Sequence, residues 1–244
     1  MTISTDMKLN SADSDVIVIN IGDKSYPQDL MKLKLPPEKL YAKGNLELLN
    51  GGFHTAITGT EKVSMKGMDV AIGLSNILSG RGHTIVGGLE RGCSTGGHLG
   101  CLGAGGKSIA VLSSPVTDVM PEENQHIADK ILQNSGLLIS AVGDSKDEWA
   151  GESNVQGELI AALCDGMIVI ESFCDEQLLM GTVKTAVNMN KTVGAYRHPG
   201  GFDMTDTSEG NEYLIKECGA IPVRNIKDTD KFVDIVEKMR RNNK

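Results

Sequence analysis

A glycine-rich segment in the first half of the chain, residues 86–98 with the sequence VGGLERGCSTGGH, most restricts the folds open to it. A short apolar run at 84–86 leads into the segment, and a helical pattern of small residues follows and ends near residue 104. The order is strand, tight turn and helix, in which glycine lets the backbone approach a ligand and the helix start offers unpaired N–H groups. This arrangement suits a phosphate or another anion, but it also fits a tight strand-to-helix connection that binds nothing.

Strands and helices alternate along the rest of the chain. The pattern predicts strands at 16–21, 55–58, 84–86, 108–112, 137–142, 167–170, 192–195 and 221–223, with a strand or turn within 40–49. It predicts helices at 64–78, after the glycine-rich segment to 104, and at 122–133, 153–164, 177–188, 208–218 and 230–240. Such alternation indicates an α/β fold, a Rossmann-like, doubly wound, mostly parallel sheet with helices on both faces.

Ligands of such sheets bind beyond the carboxyl ends of the strands. Ser94 and Thr95 are the predicted N-caps of the helix after the glycine-rich segment, since hydroxyl side chains are favoured at that position. The predicted phosphate- or nucleotide-binding residues share this edge of the sheet; they are Gly59, Thr60, Gly87, Gly88, Arg91, Gly92, Ser94, Thr95, Ser113 and Glu171.

Composition narrows the function classes. The net charge of −8 argues against a broad electrostatic attraction to nucleic acid or to an anionic membrane, although a local basic groove is compatible with it. The five cysteines lack CxxC spacing and the histidines lack metal-ligand spacing, so we expect reduced thiols, no metal site and no cofactor. No apolar run is long enough for a membrane helix, which favours a cytoplasmic protein. We expect residues 1–50 to form a leader, short strand and proline-rich connector packed on a Rossmann-like domain at 51–244.

Several side chains near this edge of the sheet are candidates for catalytic or ligand-binding roles. Glu61 and Glu158 are candidate catalytic carboxylates, since two carboxylates in a glycine-lined pocket can hydrolyse the glycosidic bond of a nucleotide; an acidic first turn of a helix is also ordinary. Cys93 lies beside a helix start, which can lower the pKa of a thiol. His98 either contacts a ligand or packs on the next element.

The order and spacing of several short motifs resemble the DNA-processing protein A (DprA/Smf) family, within a Rossmann-like superfamily that includes the lysine-decarboxylase-like (LOG) phosphoribohydrolases. The resemblance covers roughly residues 25–223 and is most specific at 88–124; it rests on Tyr26-Pro27, Gly88-Leu89, Arg91-Gly92, His98, Gly100, the run AGGK at 104–107 and the run PEEN at 121–124. It implies a protein that is not an enzyme in the usual sense, that binds single-stranded DNA and helps load a RecA-type recombinase during transformation. It also implies a homodimer formed through the Rossmann-like domain.

The chain departs from the family pattern at three places. The family's Gly-Ser-Arg after the first strand is Gly59-Thr60-Glu61 here, and its Arg-Asn-Arg is Gln156-Gly157-Glu158. A third family segment, Ser-Gly-Ser-Leu, is replaced around 177–182. Replacing arginine by glutamate removes attraction for a phosphate backbone and adds repulsion; Arg197 and His198 are candidates for compensating charge. We expect no C-terminal winged-helix domain.

Three hypotheses follow. The first is a DprA/Smf-like protein that binds a nucleotide or single-stranded DNA through the backbone of residues 87–97, assisted by Arg91 and Ser94. The second is a small-nucleotide sensor or nucleotide N-glycosidase that uses Glu61 or Glu158. The third is a non-catalytic homo-oligomeric scaffold with a vestigial pocket.

Overall fold

The computed structural model describes residues 15–144, 155–197 and 209–242, and in this part of the chain nine strands form one sheet. The strands are β1 (Ile17–Asn20), β2 (Lys39–Gly44), β3 (Phe53–Thr58), β4 (His83–Gly87), β5 (Ser108–Leu112), β6 (Leu137–Ser140), β7 (Gly166–Val169), β8 (Thr192–Tyr196) and β9 (Ile221–Val223). Their order across the sheet is β1-β2-β6-β5-β4-β3-β7-β8-β9. From β6 to β9 all neighbours in that order are parallel, whereas β2 is antiparallel to both β1 and β6. The predicted α/β fold with a mostly parallel sheet is confirmed.

Helices cover both faces of the sheet. They are α1 (Met65–Gly80), α2 (Cys93–Gly103), α3 (Gln125–Gln133), α4 (Val155–Leu163), α5 (Gln177–Asn188), α6 (Glu209–Glu217) and α7 (Ile226–Asn242), with short 3-10 helices at Gln28–Lys32, Leu46–Leu49 and Glu122–Asn124. One core contains Leu159, Val183 and Leu214 from α4, α5 and α6. Another contains Leu78 from α1 and Phe232 from α7. The central strands are therefore covered on both sides, which explains their nearly continuous apolar runs.

Small residues in α2 allow it to pack closely on α1 and β3. A Cβ atom added to Gly100 would collide with the carbonyl oxygen of Ile72, and one added to Gly97 would lie 3.0 Å from Ile57. These contacts place the start of α2, and the loop before it, directly at the carboxyl end of the sheet.

The structure shifts several predicted boundaries. Residues 40–49 form β2 and a 3-10 helix, the strand predicted at 137–142 ends at Ser140, and the helix predicted at 122–133 begins as a separate 3-10 turn. α7 begins at Ile226 rather than at 230, because the Asn225 side chain accepts a hydrogen bond from the N–H of Asp228 at 3.1 Å and caps the helix earlier. The predicted leader up to residue 14, the predicted helix positions 153, 154 and 208, and His198 lie outside the described residues.

The order of strands reverses beside β3. The chain passes from β3 through β4 and β5 to β6 in one direction across the sheet and then returns to β7, on the other side of β3. The loops after β3 and β7 therefore diverge, and a crevice at such a point is where doubly wound sheets bind ligands.

Candidate functional site

The loop between β4 and α2 is held by three side chains on one side. The Nε2–H of His98 donates to the carbonyl of Gly88 at 2.9 Å, and Nδ2 of Asn124 donates to the carbonyl of Leu89 at 2.8 Å. The hydroxyl of Thr95 donates to the next carbonyl, that of Glu90. In a trans peptide the N–H points away from the C=O of the same peptide unit. Three successive N–H groups, those of residues 89–91, therefore point away from these side chains.

The start of α2 differs from the prediction. Gly92 is the N-cap residue, so no side chain caps this helix. Its φ of 85° is one that residues with a side chain rarely adopt. Ser94 and Thr95 are not the N-caps; both are buried inside the first turn, and the Thr95 hydroxyl is engaged with the loop carbonyl instead. The N–H of Cys93 donates to the carbonyl of Thr60 at 3.2 Å, which joins this helix to the loop after β3.

Glu171 occupies the start of α1 at the switch point. Its carboxylate accepts a hydrogen bond from the backbone N–H of Ser64 at 2.8 Å and another from the Ser64 hydroxyl at 2.6 Å. The same hydroxyl accepts from the N–H of Gly67, where an added Cβ would lie 2.5 Å from the carboxyl carbon of Glu171. The carbonyl of Glu171 also accepts from the N–H of Thr60 at 2.8 Å. An internal carboxylate thus fills the position that the positive end of α1 offers to an anion.

A second internal carboxylate lies over the glycine-rich loop. Glu90 is partly buried and folds back over Gly88, so a Cβ on that glycine would collide with it. Gln156, at the start of α4, donates one hydrogen bond to the Glu90 carboxylate and another to the carbonyl of Val111 at 2.8 Å. Burial raises the pKa of Glu90, outweighing the hydrogen bonds from Gln156 and from its own backbone N–H, and nearby Glu61 acts in the same direction as burial.

The arginines near this edge are already paired. Arg91 is exposed and makes a two-pronged contact with Glu123, in which Nη2 lies 2.7 Å from Oε2. The hydrogen bonds from Arg91 lower the pKa of Glu123. Arg197, after β8, lies 2.7 Å from Glu212. A phosphate that used either guanidinium would have to compete with a carboxylate.

The thiol and histidine named from the sequence are both buried. Burial raises the pKa of Cys93 to about 12, with the Glu171 carboxylate adding to the effect, so the hypothesis of an activated thiol is wrong. Burial also lowers the pKa of His98 to about 4. The neutral ring packs under the loop and holds the carbonyl of Gly88.

The structure brings most of the predicted binding residues together at the carboxyl ends of β3, β4 and β7: Gly59, Thr60, Gly87, Gly88, Gly92, Ser94 and Glu171. Ser113 follows β5 and is exposed, as is Glu61 in the loop after β3, whereas Glu158 is half-buried in the first turn of α4. Their roles as binding or catalytic residues stay predictions. Sequence reasoning missed Gln156, Asn124 and Ser64 as the residues that arrange this site.

The part of the chain that the structure describes contains neither a candidate metal site nor a candidate membrane-spanning helix. No group of three or more His, Cys, Asp or Glu side chains there is arranged to hold a metal ion. None of the helices in residues 15–144, 155–197 and 209–242 combines the length and the hydropathy needed to cross a bilayer.

The reversed strand order, the glycine-rich loop and the crevice beside β3 define a Rossmann-like, ligand-binding α/β domain. Comparison with known proteins specifies the family. The model of the DNA recombination-mediator protein A family matches residues 17–234, and the chain belongs to that family of DNA-processing proteins, known as DprA or Smf.

Relatives from three bacteria are similar to the chain. The DNA processing protein DprA of Streptococcus pneumoniae is 32% identical over 202 residues, which make up 81% of this chain and 68% of the relative. A crystal structure of DprA from that species aligns with a TM-score of 0.75 at 28% identity and covers 88% of this chain and 73% of its own. DprA of Bacillus subtilis is 30% identical over 63% of this chain, but the match spans only 51% of that relative. A structure of Helicobacter pylori DprA, determined for its single-stranded DNA binding mode, has the same fold at 20% identity, with a TM-score of 0.74 over 95% of this chain and 98% of that one.

These relatives are DNA-processing proteins, so they favour the first hypothesis. The nucleotide N-glycosidase and scaffold alternatives are not favoured.

Proposed function

We propose that this chain binds single-stranded DNA along the crevice at the carboxyl ends of β3, β4 and β7. The observation that carries the proposal is the loop before α2, where three consecutive carbonyls are held by His98, Asn124 and Thr95. The N–H groups of Leu89 and Arg91 then face the opposite side as neutral donors, whereas that of Glu90 is bound by its own carboxylate. Backbone N–H groups are common phosphate ligands in protein–DNA complexes. The names of the S. pneumoniae and B. subtilis relatives, and the DNA-binding mode studied in H. pylori DprA, support the proposal.

Because few unpaired positive charges among the described residues lie at the crevice, we expect DNA binding there to release few counterions. Glu90 and Glu171 lie where anions would bind, and the guanidinium of Arg91 is engaged by Glu123. Each phosphate that a protein neutralises on single-stranded nucleic acid contributes about −0.7 to the slope of log affinity against log salt. With only one or two phosphates neutralised, we expect a shallow slope of about −1.

Binding is tested by fluorescence anisotropy of a labelled oligo-dT at low and near-physiological salt, with Glu171→Gln as the informative variant. The amide keeps an acceptor for Ser64 but removes a negative charge from the start of α1. We expect Glu171→Gln to bind about threefold to tenfold more tightly at low salt, and the gain to shrink as salt screens the charge.

Glu47→Gln is the matched control, because Glu47 is exposed in the 3-10 helix before β3, at the opposite edge of the sheet. It changes the net charge equally and should leave oligo-dT affinity unchanged. Absence of binding by the wild-type protein and by Glu171→Gln at low salt would exclude the proposal. An equal gain in both variants would show an effect of net charge instead of an anion position in the crevice.

We further propose that the chain acts as a homodimer in the cytoplasm and, as the family resemblance suggests, together with a RecA-type recombinase. Exposed apolar side chains on two helices of the same sheet face support self-association: Leu178 on α5 and Tyr213 on α6. Burying such side chains against a second copy removes apolar area from water.

Leu178→Glu should therefore shift the protein toward monomer at micromolar concentration, measured by analytical ultracentrifugation. Ile226→Glu makes the same change at an exposed position at the start of α7 and should leave the distribution as in the wild type. A wild-type protein that is monomeric throughout would contradict the proposal.

A further inference from the structure

A second cavity lies at the edge of the sheet opposite the crevice, where β3, β7 and β8 begin. Its volume is about 390 Å³, within the range of small-molecule sites. Its walls come from the 3-10 helix at Gln28–Lys32, the residues around the starts of β3, β7 and β8, and the last turns of α7. The ionisable side chains that line it are Asp29, Lys32, His54, Asp165, Lys191 and Arg240.

His54 lies buried in the wall of this cavity. Only 2% of the residue is exposed, and its Nδ1 lies 3.1 Å from the carbonyl of Leu163, so Nδ1 carries a hydrogen and donates it. The other ring nitrogen, Nε2, makes no hydrogen bond of good geometry among the described residues, although the carbonyl of Leu48 lies near the ring. The ring therefore lies in the wall of the cavity, where its NMR signals can report on a bound ligand.

The surrounding ion pairs leave an excess of positive charge. Lys191 donates to the carboxylate of Asp29 at 2.6 Å and to the carbonyl of Ala162 at 3.3 Å, which leaves one of the three ammonium hydrogens for another acceptor. Lys32 shares the same carboxylate at 2.6 Å, and Arg240 pairs with Asp165. Three cations and two carboxylates therefore line the cavity, an excess of one positive charge.

We propose that this cavity is a binding site for a small oxygen-bearing anion, a phosphate or a carboxylate of up to about nucleotide size, held by Lys191 and Arg240. The anion would accept hydrogen bonds from the ammonium and the guanidinium, which form short charge-assisted bonds to such oxygens. Burial and the nearby Arg240 guanidinium lower the pKa of His54, and Asp165 partly opposes these effects. An anion in the cavity would act in the same sense as Asp165 and raise the pKa of the His54 ring.

The site is distinct from the crevice and can be tested separately. NMR signals of the His54 ring, assigned with a His54→Gln variant, are followed while inorganic phosphate, citrate or adenosine monophosphate is added at millimolar concentration. We expect saturable shifts of the His54 signals with at least one anion, and the three probes distinguish a phosphate from a carboxylate and from a nucleotide. Lys191→Met should weaken that binding at least about tenfold, since it removes a charge-assisted hydrogen bond.

Lys227→Met, at the far end of α7, is the matched control and should bind the anion as the wild type does. If Lys191→Met does not fold, Lys32→Met at the exposed rim replaces it and should also weaken binding. Unchanged His54 signals with all three anions, or equal affinity in the folded lysine variant, would overturn the proposal. Oligo-dT binding should be unaffected by Lys191→Met, so a failure here and a failure of the DNA-binding proposal are distinguishable.

Discussion

Replacing Gly92 by alanine should lower the free energy of unfolding by about 3 kcal/mol or more. Gly92 has a φ of 85°, and a Cβ atom there would lie 2.6 Å from the Cα of Glu61 and collide with the carbonyl oxygen of Thr60. Both neighbours are backbone atoms of the loop after β3, so no side-chain rotation can relieve the contact. The start of α2 and the loop after β3 would have to separate, which would also break the hydrogen bond from Cys93 to Thr60.

Gly73→Ala is the matched control for this experiment. Gly73 is exposed within α1, and an added Cβ would meet no atom within 4 Å. Alanine is favoured over glycine inside a helix by up to about 1 kcal/mol, so this variant should be more stable than the wild type. Both variants replace glycine by alanine, and urea unfolding should show a loss of stability in Gly92→Ala and a gain in Gly73→Ala. A Gly92→Ala protein as stable as the wild type would show that the loop does not require the left-handed conformation.

The alternation of strands and helices was predictable because each element carries its own period of apolar residues. The antiparallel pairing of β2 with β6 was not, since the two strands are far apart in sequence and no local pattern encodes that partner. The prediction of a ligand crevice at the carboxyl edge followed from the parallel sheet. The reversal beside β3, which locates the crevice, depends on strand order and is visible only in the structure.

The details of the site were less predictable for a similar reason. Gln156 reaches Glu90 from 66 positions away, and Asn124 reaches Leu89 from 35, so neither contact has a local sequence signal. The prediction that Ser94 and Thr95 cap α2 failed because Gly92 begins the helix and the Thr95 hydroxyl has a carbonyl partner instead. The loss of the family's arginine at Glu61 was visible in the sequence. The filling of the start of α1 by Glu171 was not, because that contact also joins distant segments.

Acidification should destabilise the protein through His98, the second large effect that the structure predicts. The ring is completely buried; Nε2–H donates to Gly88, and Nδ1 has no partner among the described residues, so a second proton would have no acceptor. Burial lowers the pKa of His98 to about 4, whereas an unfolded histidine titrates near 6.5. Below pH 6.5 the unfolded state therefore binds a proton that the folded state excludes. Above that pH the contribution of the neutral His98 ring to the free energy of unfolding is fully present. As the pH drops from about 6.5 to about 4, up to about 3 kcal/mol of it is lost.

His98→Gln isolates this contribution, because the amide can still donate to the carbonyl of Gly88 but does not titrate. Burial also lowers the pKa values of His54 and His83, so some acid sensitivity should persist in the variant. Burial raises the pKa of Glu90, which acts in the opposite direction. The measured quantity is the loss of unfolding free energy between pH 7 and pH 4.5, compared between the two proteins by urea denaturation; we expect the loss to be smaller in His98→Gln by about 2 kcal/mol or more. His126→Gln, which removes an exposed histidine from α3, should keep the wild-type profile. Equal losses in the wild type and His98→Gln would mean that the ring accepts its second proton in the folded state, and the loop would then rest on a charged imidazolium instead of a neutral donor.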